Sequence, residues 1–91
     1  RLSNTFKLNQ NYPNPFNPTT TIAFELPVTS NVKLNVYNAI GQHVATLVNG
    51  KPMSAGVHAV GFNASGLASG LYIYRLEAGD FMQTRSMMLV K

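Results

Sequence analysis

Leu71-Tyr72-Ile73-Tyr74-Arg75-Leu76-Glu77-Ala78-Gly79-Asp80 puts Tyr72, Tyr74 and Leu76 on one side of an extended chain and Ile73, Arg75 and Glu77 on the other. Side chains that alternate with period two predict a strand with one face in a core and the other in water. Gly79-Asp80 then predicts a tight hairpin turn, although the order of the pair is the reverse of the usual one. The run after it, Phe81 to Lys91, has mixed parity, and a bulge is expected near Thr84 to Ser86. Working back along the chain, the same alternation recurs. Ile22, Phe24 and Leu26 form one inward set that Pro27 stops, and Val32, Leu34 and Val36 form another. His43 to Val48 gives a shorter segment after the turn Asn38-Ala39-Ile40-Gly41-Gln42, and His58, Val60 and Phe62 share one face of the next. No helical period of 3.6 persists, because Gly or Pro interrupts too often. Six or seven short strands with turn signals about every 8–12 residues describe an all-β sandwich.

Ninety-one residues suit one such domain, and an apolar fraction of 45% is too high for a disordered tail. Only 11% of residues are charged, against roughly 25% in ordinary soluble chains. Ten Asn, seven Thr and six Ser carry the polarity instead, which suits a module outside the cytoplasm. The net charge of +4 comes from cations scattered from Arg1 to Lys91, so no basic stripe exists to neutralise phosphates and nucleic acid is not an expected partner. Cysteine is absent, which excludes disulfides, thiolate nucleophiles and Cys-type zinc sites. The longest unbroken apolar runs, Leu71 to Tyr74 and Met87 to Val90, fall far short of the roughly 20 residues of a membrane span. The chain opens at Arg1 rather than Met, which predicts a piece of a longer protein.

Before the first long strand lies Asn11-Tyr12-Pro13-Asn14-Pro15-Phe16-Asn17-Pro18. Each proline forces the residue before it into extended geometry, so Tyr12, Pro13, Pro15, Phe16 and Pro18 are expected to build a stiff structural loop. Its Tyr12 and Phe16 rings, four residues apart, are both expected to press on the edge of the sandwich. Residues 1–10 read as the end of a linker, with Phe6 and Leu8 as anchors, and 11–91 as the domain proper.

Catalytic chemistry finds little support. Glu25 and Glu77 fall on wet strand faces and Asp80 in a turn, so none of the three acids has the desolvation that a catalytic pKa needs. His58 reads as a core-edge histidine with one hydrogen bond, and two His without a third ligand make a poor metal set. Gly66-Leu67-Ala68-Ser69-Gly70 is not a nucleophile elbow and reads as a turn. Asn63-Ala64-Ser65 is a formal glycosylation sequon, but an Asx turn is the better use of Asn63. Pro15-Phe16-Asn17-Pro18 fits a polyproline ligand but reads as a structural loop. Carbohydrate binding survives as a minor reading, with Tyr37 on a wet face as one ring. No catalytic, cofactor-binding or metal-binding residue is therefore assigned.

The order of these segments is itself informative. Asn11 to Thr20, then Ile22, Phe24 and Leu26-Pro27, then Val36-Tyr37-Asn38 and Gly41, Leu47-Val48, Gly56-Val57-His58, Ala68 to Leu76 and Thr84 to Lys91 resemble the type A C-terminal sorting domain of type IX secretion cargo. The resemblance covers roughly Phe6 to Lys91. It departs at Asn38, where the family often has Asp, at Phe62, where many members have Trp, and at Arg85-Ser86, where a Lys pair is common.

The resemblance implies an immunoglobulin- or fibronectin-III-like sandwich of about seven antiparallel strands, similar also to the immunoglobulin-like module of the flagellar hook-capping protein. It implies a non-enzymatic function, as a signal that directs an attached N-terminal cargo, often a hydrolase, from the periplasm through the outer-membrane translocon. A sortase-like protease then commonly removes the signal, leaving the cargo released or attached to the cell surface. The expected partners are that machinery and protease. The expected recognition residues are Gly70, Leu71, Tyr72, Arg85, Met87, Leu89, Val90 and Lys91, with the last strand at a sheet edge where its backbone can add to a partner sheet. The competing reading is an immunoglobulin-like spacer or a carbohydrate-binding or cell-attachment module of a secreted glycoside hydrolase.

Overall fold

A computed structural model describes residues 5–91 as seven strands in two sheets. In chain order these are β1 (Lys7–Leu8), β2 (Thr19–Leu26), β3 (Ser30–Asn38), β4 (His43–Met53), β5 (Gly56–Asn63), β6 (Gly70–Ala78) and β7 (Phe81–Leu89). One sheet has the order β1-β2-β5 and the other β4-β3-β6-β7, every strand pair being antiparallel. This is the expected all-β, immunoglobulin-like sandwich.

The alternation read from the sequence sets which side chains meet between the sheets. Ile22, Phe24 and Leu26 from β2 face Val32, Leu34 and Val36 from β3 and Tyr72, Tyr74 and Leu76 from β6, all buried. Phe62 closes the core from β5, its ring tilted against that of Phe16 at 6.1 Å. β-Branched and aromatic residues suit such strands because they pack on a pleated, half-buried surface.

Gly79 and Asp80 join β6 to β7 as a two-residue turn between the paired Ala78 and Phe81. Gly79 has φ +59°, and among the described residues no non-glycine has a positive φ. A positive φ at the first turn position alone is the type II′ pattern, which explains why glycine comes first here. At the β3–β4 turn, Asn38 Oδ1 accepts from the Ile40 N–H (3.2 Å) and the Gln42 N–H (2.9 Å), so an amide oxygen does there what a carboxylate would do. Asn63 Oδ1 accepts from the Ser65 N–H at 3.0 Å, the Asx turn expected of that residue.

Two expectations are corrected. The bulge expected near Thr84 to Ser86 is absent: β7 pairs with β6 in unbroken register from Gly70↔Leu89 to Ala78↔Phe81. The parity looked mixed because Gln83 and Arg85 lie on the inward side of β7, at the rim of the core, where polar side chains break an apolar alternation. The register shifts occur instead between β3 and β4, at Val32/Lys33, Leu34/Asn35 and Val36/Tyr37. They carry β4 on to Met53, well past Val48, and Pro52 is accommodated because β4 is an edge strand.

Candidate functional site

Two sequence features converge on β7: the proline-rich loop and the run of candidate recognition residues. The loop is a strap from one sheet to the other. The Asn9 N–H donates to Ala23 O, and Tyr12 and Thr21 exchange both backbone hydrogen bonds at 3.0 Å, so the strap starts along β2. It ends on β7, where the Phe16 N–H donates to Met88 O (2.9 Å) and the Val90 N–H donates to Phe16 O (3.0 Å), a parallel bridge. The peptide bonds before Pro13, Pro15 and Pro18 are cis.

A buried polar hub fixes the strap. The Tyr74 hydroxyl donates to Asn9 O (2.7 Å) and accepts from the Asn11 N–H (2.8 Å). Asn11 Nδ2 donates to Pro13 O and Thr20 Oγ1, while the Thr20 hydroxyl donates to Pro13 O at 2.9 Å. Asn11 and Thr20 are both buried, and pairing among themselves is what makes two polar side chains tolerable there. Burial raises the Tyr74 phenol above its ordinary value of 10.0, outweighing the opposite pulls of the Asn11 hydrogen bond and the Arg85 charge.

The two rings of the loop behave differently. Phe16 is 1% exposed and belongs to the core, whereas Tyr12 is 81% exposed, so the expectation that it presses on the sandwich is corrected. The backbone of Tyr12 is paired with Thr21, an outward-facing position of β2, and its ring therefore points away from the core with its neighbours' side chains. Of the segment expected as a linker end, residues 1–4 lie outside the described residues. Residues 5–10 are engaged: Leu8 is fully buried, the Phe6 ring stacks on Phe81 at 5.1 Å, and Arg85 Nε donates to Leu8 O at 2.6 Å.

Strands β6 and β7 bring the eight candidate recognition residues together. Gly70 pairs with Leu89, Leu71 with Met88 and Tyr72 with Met87, and Arg85 lies nearer the hairpin turn opposite Tyr74. Their faces divide them. Tyr72, Met87 and Leu89 are core residues, and Arg85 is half-buried and tied to Leu8. Leu71 and Val90 reach solvent at 42% and 45%, and Lys91 Nζ donates to Ser65 O at 3.0 Å. Two further apolar residues join them: Met88, 39% exposed and beside Leu71, and Ile40, 79% exposed. Ile40 and Leu71 border a groove of ≈ 330 Å³ lined also by Asn38, Ala68, Ser69 and Tyr72. The alternation of β7 with its register settled would have picked out Met88; nothing local in the sequence brings Ile40 to this end.

β7 is an edge strand, as expected, but half of its edge is already used. Gln10 Nε2 donates to Ser86 O, Asn14 Oδ1 accepts from the Met88 N–H, and Phe16 takes Met88 O and the Val90 N–H. Backbone addition to the end of β7, the mode expected for recognition, is blocked by the strap.

Arg75 Nε lies 3.1 Å from Glu77 Oε2, without hydrogen-bond alignment, and the guanidinium covers the Tyr37 ring at 5.0 Å while donating to its hydroxyl, so that ring is no open stacking platform. His58 is half-buried against Phe24 and donates from Nε2 to Ser54 O at 2.7 Å. Among the described residues no group of three His, Cys, Asp or Glu could hold a metal ion, and no helix is long and apolar enough to cross a membrane.

Residues 10–91 match the family described as secretion system C-terminal sorting domain, a span that begins at the strap and takes in every strand from β2 to β7. No curated protein matches the chain.

Proposed function

The chain belongs to the secretion system C-terminal sorting domain family, and from that premise we propose that it is a folded, non-catalytic address that takes an attached cargo through the type IX outer-membrane translocon. The family match over residues 10–91 carries this reading. After export, removal by a sortase-like protease releases the cargo or leaves it on the cell surface. Residues 11–91 make up the address, with β1 docked beside it on the side of the connection to the cargo.

Recognition belongs to side chains at one end of the sandwich: Leu71, Met88, Val90 and Lys91, with Gly70 shaping the groove beside Ile40. Tyr72, Met87, Leu89 and Arg85 act from beneath by holding that surface in place. Two observations support this assignment. Three of the four exposed large apolar side chains between Gly70 and Val90, namely Leu71, Met88 and Val90, lie there, while the fourth, Met82, sits by the hairpin turn. Phe6 and Lys7 lie at the other end of β7, beside Phe81, so a cargo joined through them would leave this surface clear. With the long axis of the molecule at 37 Å, the two ends are well separated.

A fusion of residues 1–91 to a fluorescent reporter bearing a periplasmic signal peptide, in a host with the type IX machinery, tests the proposal. Export to the surface or medium is expected, and retention in the periplasm refutes it. Deleting Arg85 to Lys91 is a poor test, because Met87 and Leu89 are core residues whose loss unfolds the domain. Leu71→Glu with Val90→Glu leaves the core intact and should strand the reporter in the periplasm.

A further inference from the structure

Each sheet ends in strands whose outer backbone groups need a partner or a guard. On β7 the strap covers Ser86 O, both groups of Met88 and the Val90 N–H. β1 has only two residues and is flanked by Arg85 from β7. β4 is shifted in register three times against β3, turns through Gly50 at φ +64°, and carries Lys51 and Pro52. These are recognised devices against strand addition: bulges, a lysine and a proline on the edge.

β5 has none of them. It runs eight residues, Gly-Val-His-Ala-Val-Gly-Phe-Asn, in unbroken register with β2, and contains no Asp, Glu, Lys, Arg or Pro. The Ala64 N–H donates to Pro18 O, which sets the phase of that ladder. Hydrogen-bonded pairs alternate in an antiparallel pair, so Phe62, Val60, His58 and Gly56 bond to β2. The N–H and C=O groups of Val57, Ala59, Gly61 and Asn63 therefore point away from it. Their side chains stand on the exposed outer face, where Ala59 and Gly61 leave the backbone uncovered. On the inner side His58 and Val60 remain only half-buried, as they would at a layer one strand short.

We propose that the β5 edge, Val57 to Asn63, is a strand-addition site that takes an extended, uncharged polypeptide segment of the export machinery. The inference rests on the sorting reading. Donors and acceptors repeating every second residue match only another extended backbone, and the absence of charge along the edge selects an uncharged segment. A second copy of this chain fits less well. An eight-residue edge is about 27 Å long and about 10 Å thick, roughly 270 Å² per partner. Counted on both partners that is about 540 Å², well short of the ≈ 1,000 Å² of total buried surface a stable interface needs, and each copy carries a net charge of +4. A contact of this size suits a transient grip on a passing cargo.

Two variants and one exchange measurement test the site. Ala59→Pro removes an outward N–H that the β2 ladder does not use, and Gly61→Lys puts a charge where nothing lies within 4 Å of a new Cβ. Both should keep the wild-type thermal midpoint and export a fused reporter about 3- to 10-fold less efficiently, the loss expected for one backbone hydrogen bond. Thr19→Lys, on the same face but in the central strand, should export normally. With the detergent-solubilised translocon as probe, amide exchange of Val57, Ala59, Gly61 and Asn63 should slow by at least about tenfold in the wild-type domain. Normal export by both variants, or no slowing at these four amides while the wild-type fusion is exported, overturns the strand-addition site and leaves the sorting reading standing. A concentration-dependent dimer in light scattering that Gly61→Lys abolishes assigns the edge to a second copy and also overturns it. A wild-type fusion that stays in the periplasm refutes the sorting reading and this inference together.

Discussion

Replacing Tyr74 with Phe isolates the strap from the core, because the ring keeps its place and only the hydroxyl is lost. That hydroxyl, buried between the sheets, donates to Asn9 O at 2.7 Å and accepts from the Asn11 N–H at 2.8 Å. Tyr74→Phe leaves one buried carbonyl and one buried N–H without a partner, each costing about 1–3 kcal/mol. Asn9 sits nearer the surface than Asn11 and recovers water more easily, so the sum falls at about 2–4 kcal/mol. For a domain of this size that lowers the thermal midpoint by roughly 8–32 °C, read by circular dichroism, with urea unfolding giving the free energy directly. The same residue predicts a pH dependence. Burial raises the folded-state pKa of Tyr74 above 10.0, so the folded chain holds that proton more tightly than the unfolded chain. The stability it contributes is complete below pH 10 and is lost as pH rises through the folded value. Tyr74→Phe should flatten that part of the alkaline decline. A variant within about 0.5 kcal/mol of wild type, or one with the wild-type alkaline slope, would refute the hub as the fastener of the strap.

Tyr12→Ala, in contrast, should change stability by no more than about 0.5 kcal/mol, since the ring is 81% exposed; urea unfolding checks it. Thr20→Val removes a buried hydroxyl that serves both Asn11 and Pro13 O, and should cost about 1–3 kcal/mol by the same assay. Gly79→Ala should cost about 1–2 kcal/mol although a Cβ meets nothing there, because φ +59° is strained for any side chain; Gly79→Asn should recover part of the loss. On β7, Leu89→Ala should destabilise by about 2–5 kcal/mol, while Val90→Glu should leave the melting curve unchanged and lower export of a fused reporter. Equal effects of these last two on stability would contradict the assignment of faces on that strand.

How far the chain could be read without coordinates depended on whether a signal was local. The inward sets Ile22-Phe24-Leu26, Val32-Leu34-Val36 and Tyr72-Tyr74-Leu76 were legible because each strand repeats its own period over several residues. The turn at Gly79 and the Asx turn at Asn63 were legible for the same reason. Tyr12 and Phe16 were not separable: both are aromatic, both sit in one proline-rich loop, and only the strap's crossing from β2 to β7 sends one ring inward and the other out. Arg85 and Gln83 disguised the parity of β7, since a rim position can hold a polar side chain that also reaches a backbone carbonyl. For the candidate recognition residues, chain order and resemblance pointed to one hairpin end, and exposure then divided the set, leaving Leu71 and Val90 outward and Tyr72, Met87 and Leu89 inward.

The order of apolar and polar residues thus determined by itself that this chain forms strands, where most of them turn, and which face of most of them is dry, because those properties are settled between neighbours a few residues apart. The partner of each strand was decided only in three dimensions, and so were the cover that the strap lays over the end of β7, the meeting of Asn11, Thr20 and Tyr74 in one hydrogen-bonded hub, and the bare edge left on β5. Those depend on contacts between residues far apart in the chain, 65 positions in the bond from Tyr74 to Asn9 and 76 in that from Gln10 to Ser86, and no local period encodes a pairing across that distance.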